Sequence, residues 1–416
     1  MKNYKKVYAA FILAGGLILH GCNGIFDDLA INPNQPSMGA YFTSPSAVND
    51  AVMTMYGYMS TQRCLGASGS KTTIIRSDEA SSNSDYGKPG MFGADLNASY
   101  YTIEQPYTLM YTTASQASYI IETAPSVDFS GNEELRNAYM GEAYFWRAFA
   151  HYYLLINFRN ISPIRQMPRN GDDYVRPLEK PAAVWDFIQE DLAHAKELLP
   201  VKGYWDSKNA GRVTKASAAA LLGKAYLYRS GIEQYYGEDK TTFYSEAAKE
   251  FGDVIDGKYA TYDLTKNYAD NFDVAHENNE ESILEFQFLG DVDNAGFNPG
   301  LATSGLAFDS RGLMLPGAGV GYEGVVHNWL YNAFVNSVDK DGYTDIRMFS
   351  TMIFNDLDAS IHLRNDAGGN PVRLEGPGGY KWEELYPAKN GKEGFATVSN
   401  PLAHSFKACI RKGIDC

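Results

Sequence analysis

Residues 130–163 read SGNEELRNAYMGEAYFWRAFAHYYLLINFRNISP, and the fold follows from how this stretch is read. Ser130 and Glu133 have the spacing of a capping box, in which a hydroxyl and a carboxylate satisfy amide donors that a helix start leaves unpaired, so a helix is expected from near Asn132. Beyond it Leu135, Tyr139, Ala143, Trp146, Phe149, Tyr153 and Ile156 recur at steps of three and four, one apolar face of a helix. Ala138, Phe145, Ala148 and Tyr152 make a second face. A helix apolar around so much of its girth has to be packed on several sides, and Gly141, Ala143 and Ala150 admit close neighbours. The stretch is read as a central scaffold helix, with His151 a hydrogen-bonded core residue.

Helical spacing continues on both sides. Ser44-Pro45-Ser46 opens a helix with Ala47, Val48, Ala51, Val52, Met55, Tyr56 and Met59 on one side. Residues 107–123 return to helix through Leu109, Met110, Ala114, Ala117, Ile120 and Ile121. Residues 182–199, 216–230 and 243–255 supply three more, after a linker at 177–181, and residues 326–338 another. Leu222-Gly223-x-x-Tyr226 resembles the first helix of a tetratricopeptide repeat, but no strict repeat period survives, so the helices are expected to stack as degenerate pairs. Between them, residues 76–101 form a long loop rich in Ser, Asn, Gly and Asp, and after Tyr259 the texture becomes irregular. Residues 280–288, EESILEFQF, are the one expected strand, and residues 290–324 are Gly-rich.

The length of 416 residues suits about two domains with a sizeable core. Hydrophobic residues at 44% and charged residues at 21% are the balance of a globular protein. Aromatic residues reach 13%, led by 30 Tyr, whose rigid ring and hydroxyl suit both interhelical packing and amphipathic ligands such as sugars. A formal net charge of −14 without a basic stripe argues against nucleic acid. Cys22, Cys64, Cys409 and Cys416 include no CxxC pair, and the 7 His show neither HxH nor HExxH spacing, so no metal or other cofactor is expected.

Several of these stretches resemble one family in order. Ala143-Tyr144-Phe145-x-Arg147-Ala148, a Tyr pair and Asn157-Phe158 resemble the signature helix of the SusD/RagB proteins, outer-membrane lipoproteins of Bacteroidetes-type bacteria. Phe42-Thr43-Ser44-x-x-Ala47, Ile188-x-x-Asp191-Leu192-x-x-Ala195 with Leu199-Pro200, Gly211-Arg212-Val213-Thr214-Lys215, residues 279–285 and Asp341-Gly342 with Asp345-Ile346-Arg347 are similar to further motifs of that family. The resemblance implies a mostly helical fold of tetratricopeptide-like pairs with a loop-rich second region. It also implies a partner, a SusC-like TonB-dependent porin, to which glycans, or for some members peptides, are delivered. Members continue into further helices where this chain ends at Cys416, which suggests a truncated or frameshifted reading frame.

At the N-terminus Lys2, Lys5 and Lys6 precede an apolar run at 7–19, a secretory signal too short to span a bilayer. Leu19-His20-Gly21-Cys22 resembles a bacterial lipobox, which makes Cys22 the lipid anchor, and Asp27 and Asp28 resemble a surface-export signal. The expected divisions are a signal peptide at 1–21, an acidic tether at 22–39, a helical region at 40–258 and a loop-rich region at 259–416, with the mature protein held at the outer membrane.

Other motifs are weaker. Gly319-x-Gly321-x-x-Gly324 fits a dinucleotide fingerprint but lacks a buried strand to feed it. Asp291-x-Asp293-x-x-Gly296 begins like a calcium loop but has Ala302 where a bidentate Glu belongs. No carboxylate pair, GxSxG elbow or Cys/His signature nominates a catalytic centre, so a binding protein is favoured over an exported glycoside hydrolase or a scaffold that only joins other proteins. Sugars are held by flat rings with amides and carboxylates beside them, on loops rather than in the packed scaffold. That criterion selects Asn83, Asp85, Tyr86, Tyr100 and Tyr101 in the first loop, then Phe297, Phe308, Tyr322 and Trp382 beyond it.

Overall fold

The computed structural model describes residues 42–61, 64–65, 76–82, 97–167, 169, 175–272, 276–287, 323–345, 347–353 and 404–405. Helix α1 (Pro45–Ser60) starts where the sequence places it, with Ser44 accepting from the Ala47 amide at 3.3 Å and Pro45 in the first turn. It is followed by α2 (Tyr101–Thr123), α3 (Glu133–Phe158), α4 (Pro181–Leu198), α5 (Lys215–Tyr236) and α6 (Tyr244–Ile255). Each packs against the helix before and the helix after it, and α1 also touches α3. This is a solenoid of neighbouring helices, tetratricopeptide-like in its stacked pairs, and the fold is mostly α as read from the sequence.

The core follows the faces of α3. Trp146 is fully buried, with Tyr56, Phe145 and Phe149 edge-on to it at centroid distances of 4.9, 5.1 and 5.6 Å. Burying one such ring contributes roughly 1.5–3 kcal/mol. Ala138, Phe145, Ala148 and Tyr152, the second face, are buried as well, whereas Ile156 at the end of the first face is 38% exposed. Gly141 permits the close approach expected of it: a Cβ there would lie 2.9 Å from both Cγ and the backbone N of Leu199.

The start of α3 differs in detail from the expected capping box. Asn132 is the N-cap and accepts from the Leu135 amide at 3.1 Å, while Ser130 sits at φ 53° with its amide donated to Asp128. The asparagine lies one residue before the helix and reaches its amides directly, which leaves Ser130 to make the turn. Helix α2 begins six residues earlier than the spacing suggests, at Tyr101, and carries Pro106 inside it.

Residues 280–287 are not a strand. Ser282 Oγ donates to Glu285 Oε2 at 2.8 Å, the Ile283 carbonyl accepts from Ser217 Oγ of α5 at 3.2 Å, and the Phe286 ring lies 5.8 Å from Trp146. Leu284 and Phe286 pack onto the helical layer, and side chains from Lys202 and Ser217 take the Ser282 and Ile283 carbonyls, so the alternating pattern meets helices instead of a neighbouring strand. Two short strands, β1 (Ala80–Ser82) and β2 (Glu323–Val326), do pair, and with β3 (Met352–Ile353) and β4 (His404–Ser405) they form an antiparallel sheet in the order β1-β2-β4-β3. Two helices belong to the same region, α7 (Asn328–Asn336) and the single turn α8 (Met348–Thr351). Among the described residues no helix is long and apolar enough to cross a membrane.

Candidate functional site

Among the described residues the most deeply buried ion pairs lie inside the helical stack. Arg147 of α3 grips Asp191 of α4 through two hydrogen bonds of 2.7 Å and also donates to Ser118 Oγ of α2 at 3.1 Å. One turn earlier Glu142 receives Arg212, with contacts of 2.7–3.2 Å, and the Tyr56 hydroxyl at 2.7 Å. Arg212 lies over the Trp205 ring at 4.1 Å and also donates to Asn49 at 2.8 Å. Burial pushes the Glu142 carboxyl above its usual range, while Arg212 and Tyr56 pull it back. Perturbed carboxylates often mark active sites. Here Glu142 is fully buried and saturated with donors, so it works as a strut between α1, α3 and the head of α5.

His151 belongs to the same framework. Its Nε2 accepts the Ile164 amide at 2.9 Å, which leaves Nδ1 protonated and donating to the Arg147 carbonyl at 2.8 Å. Burial, aided by nearby guanidinium groups, drives its pKa down to about 3, so the ring is neutral. The satisfied core histidine expected from the sequence is what the structure contains. Burial likewise pushes the Cys64 thiol up and makes it inert.

An accessible arrangement forms where the first loop meets the second region. Arg76, at the head of that loop, donates to Asn157 Oδ1 at the C-terminal end of α3 at 3.3 Å. The backbone carbonyls of Asp78 and Glu79 then accept from Trp329 Nε1 and from the His327 amide, the latter at 2.8 Å. From there β1 pairs with β2 in the register Ala80↔Val326, Ser81↔Val325 and Ser82↔Glu323, with a bulge between Ser81 and Ser82. Two segments far apart in sequence are thereby stitched together. The Trp329 indole, with its N–H fixed, stands 47% exposed in the first turn of α7. A ring held at one edge and bare elsewhere can cover the apolar face of a sugar.

The residues selected from the sequence fall unevenly on this arrangement. Cys22, Asn83, Asp85, Tyr86, Phe297, Phe308, Tyr322 and Trp382 lie outside the described residues. Strand β1 ends at the residue before Asn83, and β2 starts at the residue after Tyr322. Tyr101, read as a loop residue, is the first residue of α2, with Tyr100 as its N-cap, so the helix rather than the loop claims it. Trp329 was missed because the selection rule set aside aromatics on helices. Its place directly after the Gly-rich segment was the available signal. Gly324 of the GxGxxG run lies within β2 and not at a helix start, while the calcium-like run at 291–302 lies outside the described residues. The Asp345–Arg347 motif closes on itself as an ion pair beside a turn whose Asp339 carboxylate accepts the Asp341 and Tyr343 amides at 2.8 and 3.1 Å. Among the described residues no group of His, Cys, Asp and Glu is placed to hold a metal ion.

Stacked helix pairs, with an exposed indole where β1 meets β2, define the class: a helical-repeat scaffold. Comparisons with known proteins show what it is similar to. Residues 30–227 match the SusD-like family described as starch-binding and associating with the outer membrane. A SusD-like protein of Bacteroides ovatus is 26% identical over 294 residues, which is 70% of this chain and 51% of that protein. Among solved structures, a SusD superfamily protein from Bacteroides vulgatus superposes with a TM-score of 0.59 at 22% identity, covering 76% of this chain and 62% of that one. A laminarin-binding SusD-like protein gives 0.59 at 21%, covering 75% and 67%. Residues 30–227 thus carry the SusD-like family match and the fold is that of SusD-like proteins, while the chain spans about half the length of the curated relative from Bacteroides ovatus (51%).

Proposed function

We propose that this protein binds a glycan at the ledge beside the β1–β2 junction, without catalysis, and passes it to a SusC-like TonB-dependent porin in the outer membrane. The observation that carries the reading is the Trp329–Asp78 hydrogen bond together with β1–β2 pairing. These fix an exposed indole at the point where the candidate-bearing segments of both regions enter and leave. The family's description as starch-binding and a laminarin-binding relative of the same fold support a carbohydrate ligand. In this reading Cys22 is the lipid anchor, residues 22–39 are the tether, and Asn83, Asp85, Tyr86, Phe308, Tyr322 and Trp382 extend the ledge around Trp329. The scaffold at 40–258 supports it, and the region at 259–416 contributes its second side.

Affinity from stacking on an open surface is expected in the micromolar to millimolar range, about −8 to −4 kcal/mol. The test is native affinity electrophoresis of the full chain through gels containing laminarin, starch or xyloglucan, with reducing-sugar release followed in parallel. Retardation by at least one polymer without sugar release is expected. Passage unretarded through every gel, or steady release of reducing ends, would overturn the reading.

A further inference from the structure

Helix α5 ends in two adjacent tyrosines whose rings stay largely exposed. Tyr235 is 84% exposed and Tyr236 56%, and their rings stand nearly perpendicular, 87°, with centroids 5.2 Å apart. Lone exposed apolar side chains need no explanation, but a paired and immobilised set does. Tyr236 is immobilised because the Arg159 guanidinium lies 4.0 Å from its ring centroid. Arg159 is in turn fixed by the buried Glu233 carboxylate, with bonds of 3.0 and 2.7 Å, and that carboxylate also accepts Trp185 Nε1 at 2.8 Å.

The backbone contributes as well. Arg159 occupies φ 60°, ψ −68°, and the Asn160 amide bonds back to the Phe158 carbonyl at 2.7 Å, the rare and strained form of three-residue turn. Under the tyrosines the helix is closed at Gly237, φ 71°, whose amide and that of Glu238 return to the Gln234 and Glu233 carbonyls. The pair therefore sits on a rigid base, flanked by a guanidinium and by the half-exposed Glu238 carboxylate, groups that suit sugar hydroxyls.

We propose that Tyr235 and Tyr236 form a second carbohydrate contact, which engages a distal part of a polymeric glycan held at the Trp329 ledge. The proposal rests on the glycan-binding reading. Two rings offer far less area than a stable protein interface needs, whereas they match the apolar faces of successive sugars. Their position also fits: Asn157, which takes the Arg76 hydrogen bond at the head of the first loop, lies two residues before Arg159, so one end of α3 supports both places. A polymer occupying both gains by effective concentration, while a disaccharide fills only one.

The test compares the full chain with the Tyr235→Ala, Tyr236→Ala double variant, the Tyr235→Ala single variant and Trp329→Ala. Laminarin, starch and xyloglucan gels report polymer affinity, and titration with a disaccharide of the retained polymer's linkage reports the ledge alone. The double variant is expected to lose about tenfold in polymer affinity with disaccharide binding and melting temperature unchanged, the single variant showing part of the same loss. Undiminished polymer affinity in both tyrosine variants, with binding lost in Trp329→Ala, would overturn this proposal and leave the ledge standing. Equal loss of disaccharide binding would overturn the separate contact. A wild-type chain that binds no polymer would overturn both readings.

Discussion

Arg147 and Asp191 meet through parallel hydrogen bonds of 2.7 Å, Nε to Oδ2 and Nη2 to Oδ1, across the boundary between α3 and α4, with side chains only 7% and 2% exposed. Both residues stand in motifs that make the family legible. Both are spent on holding helices together rather than on ligand.

Removing one partner of a buried pair strands the other charge, at a cost of about 3–5 kcal/mol. Arg147→Ala and Asp191→Ala are each expected to destabilise by that amount in denaturant melts. The double variant Arg147→Met, Asp191→Leu, which leaves no lone charge although Ser118 Oγ and the Arg165 carbonyl lose a donor, is expected to recover most of the loss. A double variant no better than the singles would show that the pair itself, rather than the avoidance of a lone charge, stabilises the stack.

Gly141 and Gly57 give opposite expectations for the same substitution. At Gly141 a new Cβ meets the Leu199 backbone nitrogen at 2.9 Å, which can yield only if α3 and the end of α4 separate. Gly141→Ala is expected to cost about 1–3 kcal/mol, as overpacking does. At Gly57, within α1, nothing lies within 4 Å, and Gly57→Ala is expected to stabilise by roughly 0.5–1 kcal/mol. Thermal melts of the two variants check both signs.

His151 sets an acid limit. Its pKa falls from the ordinary value near 6.5 in the unfolded chain to about 3 in the folded one. Between those values the unfolded state binds the extra proton, so stability decreases as pH is lowered, by up to about 1.4 kcal/mol for each pH unit. His151→Gln removes that titration and is expected to flatten the stability profile between pH 6 and 4, whatever its own cost at pH 7. An unchanged slope would mean that other groups carry the acid sensitivity.

The helical stack was legible because its apolar spacing is long and regular: the observed starts of α4, α5 and α6 lie within one residue of those read from the sequence. The departures have physical causes. Helix α2 starts at Tyr101, ahead of the apolar spacing read from residue 107, and carries Pro106 inside it, and the alternation in residues 280–287 faces a helical layer rather than a sheet. The ion pairs were invisible because Glu142 and Arg212 lie 70 positions apart, and spacing says nothing about which motif grips which. Loop aromatics could be nominated from composition. Trp329 could not, because its exposure depends on β2 pairing with β1 and leaving the first turn of α7 uncovered.

The most direct test of the glycan ledge is the affinity of the Trp329→Ala variant, measured by isothermal titration with the polysaccharide that retards the wild-type chain. Loss of one stacking ring is expected to weaken binding about tenfold, near 1.4 kcal/mol, with the melting temperature held. Wild-type affinity in a folded Trp329→Ala protein would contradict the assignment of the β1–β2 junction as the binding surface.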